Sequence, residues 1–189
     1  MKIAVGTTNL PKMISSGDIT IRPMKDEEAD YQLMAKWLAD PRVLEFVYGE
    51  PKDIEYVKEH FGPRVRQEEN VSSCFIEYQS QPVGYIQYFP VTKKEDYELE
   101  TNEDVWAIDM WIGEPNFWDK GIGSKALKLV MGHIFKDEKA KKIIIDPHVD
   151  NLRAIHVYEK VGFKKVKILK AHEKYQDKKV DAWLMEIEI

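Results

Sequence analysis

The sequence holds a single cysteine among its 189 residues. A disulfide within the chain is thereby excluded. Cys74, in the strand-like run 71–78, reads as a small buried apolar residue and not as a reactive thiol. Long hydrophobic runs are also missing. No stretch approaches the roughly 20 apolar residues needed to span a bilayer. The opening MKIAVGTTNLPKM has no extended apolar segment and no convincing cleavage site. A cytoplasmic protein without a membrane partner is therefore expected. Basic charge is not in excess: 28 Lys and Arg stand against 33 Asp and Glu, for a net charge of −5. With no basic run of the kind that tracks phosphates, a nucleic-acid partner is not expected. The five histidines show no metal-ligand spacing, so no metal is expected. Internal repeats and low-complexity linkers are absent as well.

What is present suits one globular domain. The chain is 43% hydrophobic and 11% aromatic, and its length is ample for a real core. Residues 1–18 have weak periodicity and carry Gly6, Pro11, Ser15, Ser16 and Gly17. They are expected to form an extension, with the domain spanning residues 19–189. ITIRP at 19–23 alternates as a first strand. Asp26 can cap a helix running to about residue 40, where Pro41 ends it. Asp53 opens a second helical stretch, interrupted at Gly62 and Pro63. SSCFIEY and VGYIQYF predict a β-hairpin, followed by a polar loop over residues 91–104. VWAIDMWI at 105–112 predicts a central strand. A helix follows over 121–137, a short buried strand over 143–146, a helix over 151–161, and strands over 163–169 and 180–189. The strand–helix–strand passage from Val105 to Asp146 predicts neighbouring parallel strands, and the hairpins predict antiparallel pairing elsewhere. The fold class is a mixed α/β sheet with helices on both faces.

Two segments carry chemistry. WDKGIGS at 118–124 follows a strand and opens a helix. Its glycines let backbone approach a phosphate, and free amides at a helix start bind anions. Alone, this could be an ordinary loop. The third glycine of a dinucleotide fingerprint is lacking. The second segment, NLRAIHVYEKVGF at 151–163, begins 30 residues after Gly121. In this order and spacing the two resemble the paired signature motifs of the GNAT superfamily of N-acetyltransferases.

That resemblance implies a GNAT fold: a mostly antiparallel sheet with a splayed central parallel pair. It implies acetyl-coenzyme A as co-substrate. Amides around Lys120, Gly121, Ile122, Gly123 and Ser124 would hold the pyrophosphate, and Met110, Trp111 and Ile112 would pair with the pantetheine arm. Asn151 would reach the pantetheine or phosphate region. Trp118 departs from the pattern, because the family usually has Gln or Arg there. The anion site must then rely on amides and Lys120.

Acetyl transfer to an amine needs a neutral amine, a stabilised oxyanion and a proton for the departing thiolate. The resemblance puts the acid at Tyr158; the alternative is a ring packed on the sheet with its hydroxyl unused. Asp109, a carboxylate inside an apolar strand, is costly unless it faces a cleft or has a partner. It is the candidate base, or else a structural aspartate. It should face opposite to Ile108 and Met110. Asp146 either binds substrate or caps the following turn. Six of the ten residues 95–104 are acidic, which would concentrate a polycation near a cleft. WLADPRVLEFVYG at 37–49, DMWIGEPNFWDKGIGS at 109–124 and IIDPHVDNLRAIHVYEKVGF at 144–163 look like bacterial aminoglycoside 6′-N-acetyltransferases. This implies a small cationic amine substrate, antibiotic resistance as a role, Asp109 as base or amine ligand, and Asp146, Glu103 and Asp104 as drug contacts. A monomer or homodimer would suit. Siderophore-pathway or polyamine N-acyltransferases share much of the pattern, and a non-catalytic acyl-coenzyme A binder is the alternative of another class.

Overall fold

Apolar–polar alternation over residues 72–90 folds as a hairpin. Strand β3 (Ser72–Tyr78) pairs antiparallel with β4 (Gln81–Pro90). Gln79 and Ser80 turn the chain with φ of 50° and 65°, the left-handed values that a two-residue hairpin turn demands. The computed structural model describes residues 11–189. The remaining strands are β1 (Ile14–Ser16), β2 (Ile19–Pro23), β5 (Val105–Ile112), β6 (Lys142–Ile145), β7 (Lys164–Tyr175) and β8 (Lys178–Glu188). One eight-stranded sheet results, in the order β1-β2-β3-β4-β5-β6-β8-β7. Every described pairing is antiparallel except β5 with β6. The fold class expected from the sequence is the one observed. Of the expected N-terminal extension, residues 1–10 lie outside the described residues, and Ile14–Ser16 adds an edge strand to β2.

The helices are α1 (Glu28–Trp37), α2 (Pro41–Leu44), α3 (Ile54–Val65), α4 (Ile122–Lys136) and α5 (Leu152–Val161). They cover both faces. Cys74, Ile76, Ile86, Tyr88 and Ile108 point to one face and pack with Ala126, Val130 and Ile134 of α4 and Ile155 of α5. Phe75 and Tyr85 point to the other and pack with Met34 and Trp37 of α1 and Phe61 of α3. Each such aliphatic or aromatic side chain, fully buried, contributes about 1.5–3 kcal/mol. Farther along this second face, Tyr97 and Leu99 of the segment before β5 cover Ala107, Ile144 and Leu184. No helix among the described residues is long and apolar enough to cross a membrane.

Two prolines act differently from the sequence expectation. Pro41 does not merely stop α1. It occupies the first turn of α2, where a missing N–H costs nothing, and Asp40 caps that turn by accepting from Arg42 N. Asp26 does not cap α1 and instead accepts the Tyr31 hydroxyl at 2.6 Å. Helix α3 runs through Pro63. Proline there removes one rung of the ladder, but Val57 and Phe61 are fully buried on the packed side, and Arg66 N still reaches Gly62 O at 2.9 Å.

Candidate active site

Strands β5 and β6 pair only from Val105 with Lys142 to Ala107 with Ile144. Beyond that point they part, while β4 stays on β5 as far as Ile112. The register decides what the open edge shows. Val91 N donates to Val105 O and Gly113 N to Val83 O, so the odd-numbered residues of β5 bond to β4. In an antiparallel ladder the alternate residues turn the other way. The amide and carbonyl of Met110 and the amide of Ile112 therefore face the cleft. The Ile112 carbonyl is taken by the indole N–H of Trp118 at 2.8 Å.

Two cavities meet at this edge. The first, of about 220 Å³, is lined by Asp109, Asp146, Glu173, Arg64, Gln87 and His148 among others. The second, of about 460 Å³, is lined by Met110, Trp111, Ile112, Gly121, Ile122, Gly123, Ser124 and Asn151, with Arg42 and Arg153 at its rim. Met110, Trp111, Asn151 and Tyr158 line both.

The second cavity is built for an anion bearing an extended arm. Gly121 has φ 73°, and no side chain caps the start of α4. The first-turn amides are thus left for a ligand. A Cβ on Gly123 would sit 3.3 Å from the Met110 methyl, so glycine keeps the loop close to β5. Lys120 is exposed, with its ammonium 5.2 Å from the centre of the Phe117 ring, and it does not line the cavity. Trp118, which departs from the family pattern, ties the loop to Ile112 O and stacks under the Arg153 guanidinium at 4.6 Å. Asn151 Oδ1 caps α5 by accepting from Ala154 N at 3.1 Å.

The first cavity is acidic. Asp109 lies opposite in facing to Ile108 and Met110, on the side that holds Gln87 and Tyr85. Gln87 Nε2 donates to Asp109 Oδ2 at 2.6 Å. Burial and the nearby Asp146 push the Asp109 carboxyl up to about 6, against the Gln87 bond and the Arg64 charge, which pull it down. Asp146, just past β6, accepts from His172 Nε2 at 3.0 Å, which raises the imidazole. It does not cap the turn after β6. Glu173 is raised by burial and by Asp146, and lowered by His172. Asp146, His172 and Glu173 offer ligand atoms within 4.8 Å of one another. The open cavity beside Asp109, Asp146 and Glu173 has room for an ammonium group. Tyr158 is buried at 6% exposure. Burial and the charges of Asp109 and Asp146 push its hydroxyl up, so it holds its proton through the neutral range. Cys74 is fully buried, with its thiol pushed up to about 12 by burial. Glu103 and Asp104 are exposed at the start of β5 and line neither cavity.

The family model of the acetyltransferase (GNAT) domain matches residues 26–171. The chain belongs to the GNAT acetyltransferase family. As a member it is an acetyl-coenzyme A-dependent N-acetyltransferase, and the second cavity fits that co-substrate. Among relatives, the aminoglycoside N(6′)-acetyltransferase type 1 of Klebsiella pneumoniae is 31% identical over 166 residues, covering 85% of this chain and 82% of that protein. A kanamycin resistance protein of Rhizobium radiobacter is 38% identical over 69 residues, covering 36% of this chain and 64% of that one. The structure of AAC(6′)-Ib in complex with ribostamycin and coenzyme A superposes with a TM-score of 0.77 at 28% identity, covering 91% of this chain and 94% of that one.

Five residues of this GNAT site went unread in the sequence: Arg64, Gln87, His148, His172 and Glu173. Gln87 had a signal, being a polar residue inside an apolar alternating strand. Arg64 lay hidden behind a proline read as a helix break. Glu173 and His172 lie beyond the expected end of β7, where the register shifts between Leu169 and Glu173. Ala171, at φ 50°, re-aims that stretch, and its N–H donates to Asp181 Oδ1 at 2.9 Å.

Proposed function

We propose that this enzyme transfers acetyl from acetyl-coenzyme A to the 6′-amine of an aminoglycoside by direct attack within a ternary complex. The observation that carries the reading is the meeting of an acidic cavity with an amide-lined one at Met110, Trp111 and Tyr158. A polycationic acceptor suits the carboxyl groups of Asp109, Asp146 and Glu173, which outnumber the Arg64 guanidinium and the His172 imidazole bonded to Asp146. The relatives named for aminoglycoside acetylation support the same choice.

Each of the chain's residues then has a stated task. Asp109, once ionised, takes a proton from the acceptor ammonium and leaves a neutral amine lone pair. Asp146 and Glu173 hold the acceptor's other ammonium groups. The cleft-facing Met110 amide donates to the carbonyl oxygen as negative charge builds there. Acetyl-coenzyme A, when bound along β5 and the start of α4, supplies an activated acyl group with a thiolate as leaving group. Tyr158, still protonated, donates to that departing sulfur. Cys74 is sealed in the core and protonated, which fits attack without a covalent enzyme intermediate. Glu103 and Asp104 act at most through the long-range field that draws in a cation.

The test is thiol release from acetyl-coenzyme A by the purified protein with kanamycin, its 6′-hydroxyl analogue, a polyamine and a hydroxylamine. Release with kanamycin and none with the 6′-hydroxyl analogue is the expected result. Release with only the polyamine or hydroxylamine would overturn the acceptor and keep the transferase. Silence with all four would overturn the acceptor and move weight to an untested amine or to a binder without turnover.

A further inference from the structure

We infer that Gln87, locked in one amide orientation by Arg64, is a positioning residue that presents Asp109 to the acceptor amine. The inference rests on Asp109 being the base, as proposed above. Gln87 Oε1 accepts two hydrogen bonds, from Arg64 NH1 at 2.8 Å and from the Tyr85 hydroxyl at 2.9 Å. With both donors on the oxygen, the NH₂ end must point the other way, where it meets Asp109 Oδ2 at 2.6 Å. Flipping the amide would set an N–H against Arg64, which can only donate, and face its oxygen to a carboxylate; the Tyr85 hydroxyl can donate or accept, so Arg64 and Asp109 fix the orientation.

The donors are themselves fixed. Tyr85 OH also contacts Ser73 Oγ at 2.8 Å. Arg64 reaches Glu69 Oε2 at 3.3 Å and His60 Nε2 at 3.1 Å. Burial and the Arg64 charge push the His60 imidazole down to about 4, so it is neutral and can accept from the guanidinium. A chain of bonds thus runs from the α3 surface through β4 to the cleft. It occupies Oδ2 of Asp109 and leaves Oδ1 for the acceptor.

The arrangement also sets when Asp109 is a base. Asp146 and Glu173 face it from the end of β6 and from β7 with carboxyl groups, Tyr97 and Tyr158 face it from the segment before β5 and from α5 as neutral hydroxyls, His148 lines the same cavity, and His172 bonds Asp146. Arg64 is the fixed cation that opposes the carboxyl groups, and the Gln87 N–H bond favours the ionised form. Without that bond Asp109 would hold its proton to higher pH.

The experiment uses the full chain with Gln87→Met, which removes the donor at similar size, and Tyr85→Phe, which removes one of the two bonds to the Gln87 oxygen. The acid limb of kcat/KM for kanamycin is followed against pH, and the Asp109 carboxyl is titrated by carbon-13 NMR. Gln87→Met is expected to move both upward by about one pH unit, a tenfold change in proton affinity. Tyr85→Phe is expected to move them less in the same direction, with KM for acetyl-coenzyme A within about twofold for both. Lower turnover with an unmoved limb and unmoved carboxyl titration would mean Gln87 is only structural, and would overturn the inference. If Gln87→Met does not fold, Gln87→Ala takes its place, and an unmoved titration there overturns it equally. Asp109→Asn, run in parallel, separates the two readings. If it retains the limb, Asp109 is not the base. If it loses the limb while Gln87→Met leaves it in place, only the positioning role fails.

Discussion

Asp109→Asn should make the protein more stable and less active, and the gain in stability should appear only above acid pH. The ordinary aspartate value of 3.8 is raised to about 6 in the folded chain. Between those values the folded state binds more protons than the unfolded one, so wild-type stability falls as pH rises through the window. A rise of that size corresponds to about 3 kcal/mol at neutral pH. Water in the open cleft screens part of this, so about 1–2 kcal/mol is expected. Asparagine is uncharged, keeps an oxygen for the Gln87 N–H and removes the repulsion by Asp146. Urea denaturation at pH 4 and at pH 7.5 measures the effect. The mutant should match wild type at pH 4 and exceed it by about 1–2 kcal/mol at pH 7.5, with Tm raised by roughly 3–8 °C. Turnover should drop by about 10²-fold or more. A mutant–wild-type difference that is the same at both pH values would refute the argument that ionised Asp109 is held at a cost.

Other substitutions probe the remaining parts. Tyr158→Phe should lower kcat about 10- to 100-fold and leave KM for acetyl-coenzyme A nearly unchanged; a normal rate across the pH profile would remove the acid role. Trp118→Phe keeps a ring under Arg153 and deletes the bond to Ile112 O. Steady-state kinetics should show KM for acetyl-coenzyme A rising about threefold to tenfold, with acceptor KM little changed. Glu173→Gln should reduce kcat/KM about tenfold for acceptors with several ammonium groups and spare a monoamine. Equal losses for both classes would place Glu173 outside acceptor recognition.

Where local pattern and tertiary packing agreed, the sequence could be read directly. The β5 run VWAIDMWI combines strand periodicity with one costly carboxylate, and it does carry Asp109 at an open edge. The starts of α4 and α5 were visible because Gly121 and Asn151 are typical helix-start residues. Proline was misread twice. Its effect depends on whether the missing N–H falls in a first turn, as at Pro41, or under a well-buried helix face, as at Pro63. Those misreadings hid Arg64 and the segment after α2, including Phe46, which lines both cavities. The β7 irregularity was invisible for another reason. Ala171 adopts φ 50° without being glycine, held there by a long-range bond to Asp181 that no local pattern encodes. Glu103 and Asp104 drew attention through charge density and through the family resemblance, yet β5 runs from them to the cleft, and they line neither cavity.

The tip of the β7–β8 hairpin is fastened to the segment after α2 by two bonds to main-chain oxygens. The Tyr175 hydroxyl donates to Glu45 O at 2.7 Å and Gln176 Nε2 to Gly49 O at 2.7 Å. A carbonyl is present whatever residue stands at position 45, so mutation there leaves the fastening intact. Position 49 has no such freedom. Its φ is 72°, and a Cβ would lie 2.7 Å from the Tyr175 ring. The segment after α2 can therefore change its side chain at position 45 without loosening the hairpin tip, so long as Gly49, Tyr175 and Gln176 are kept.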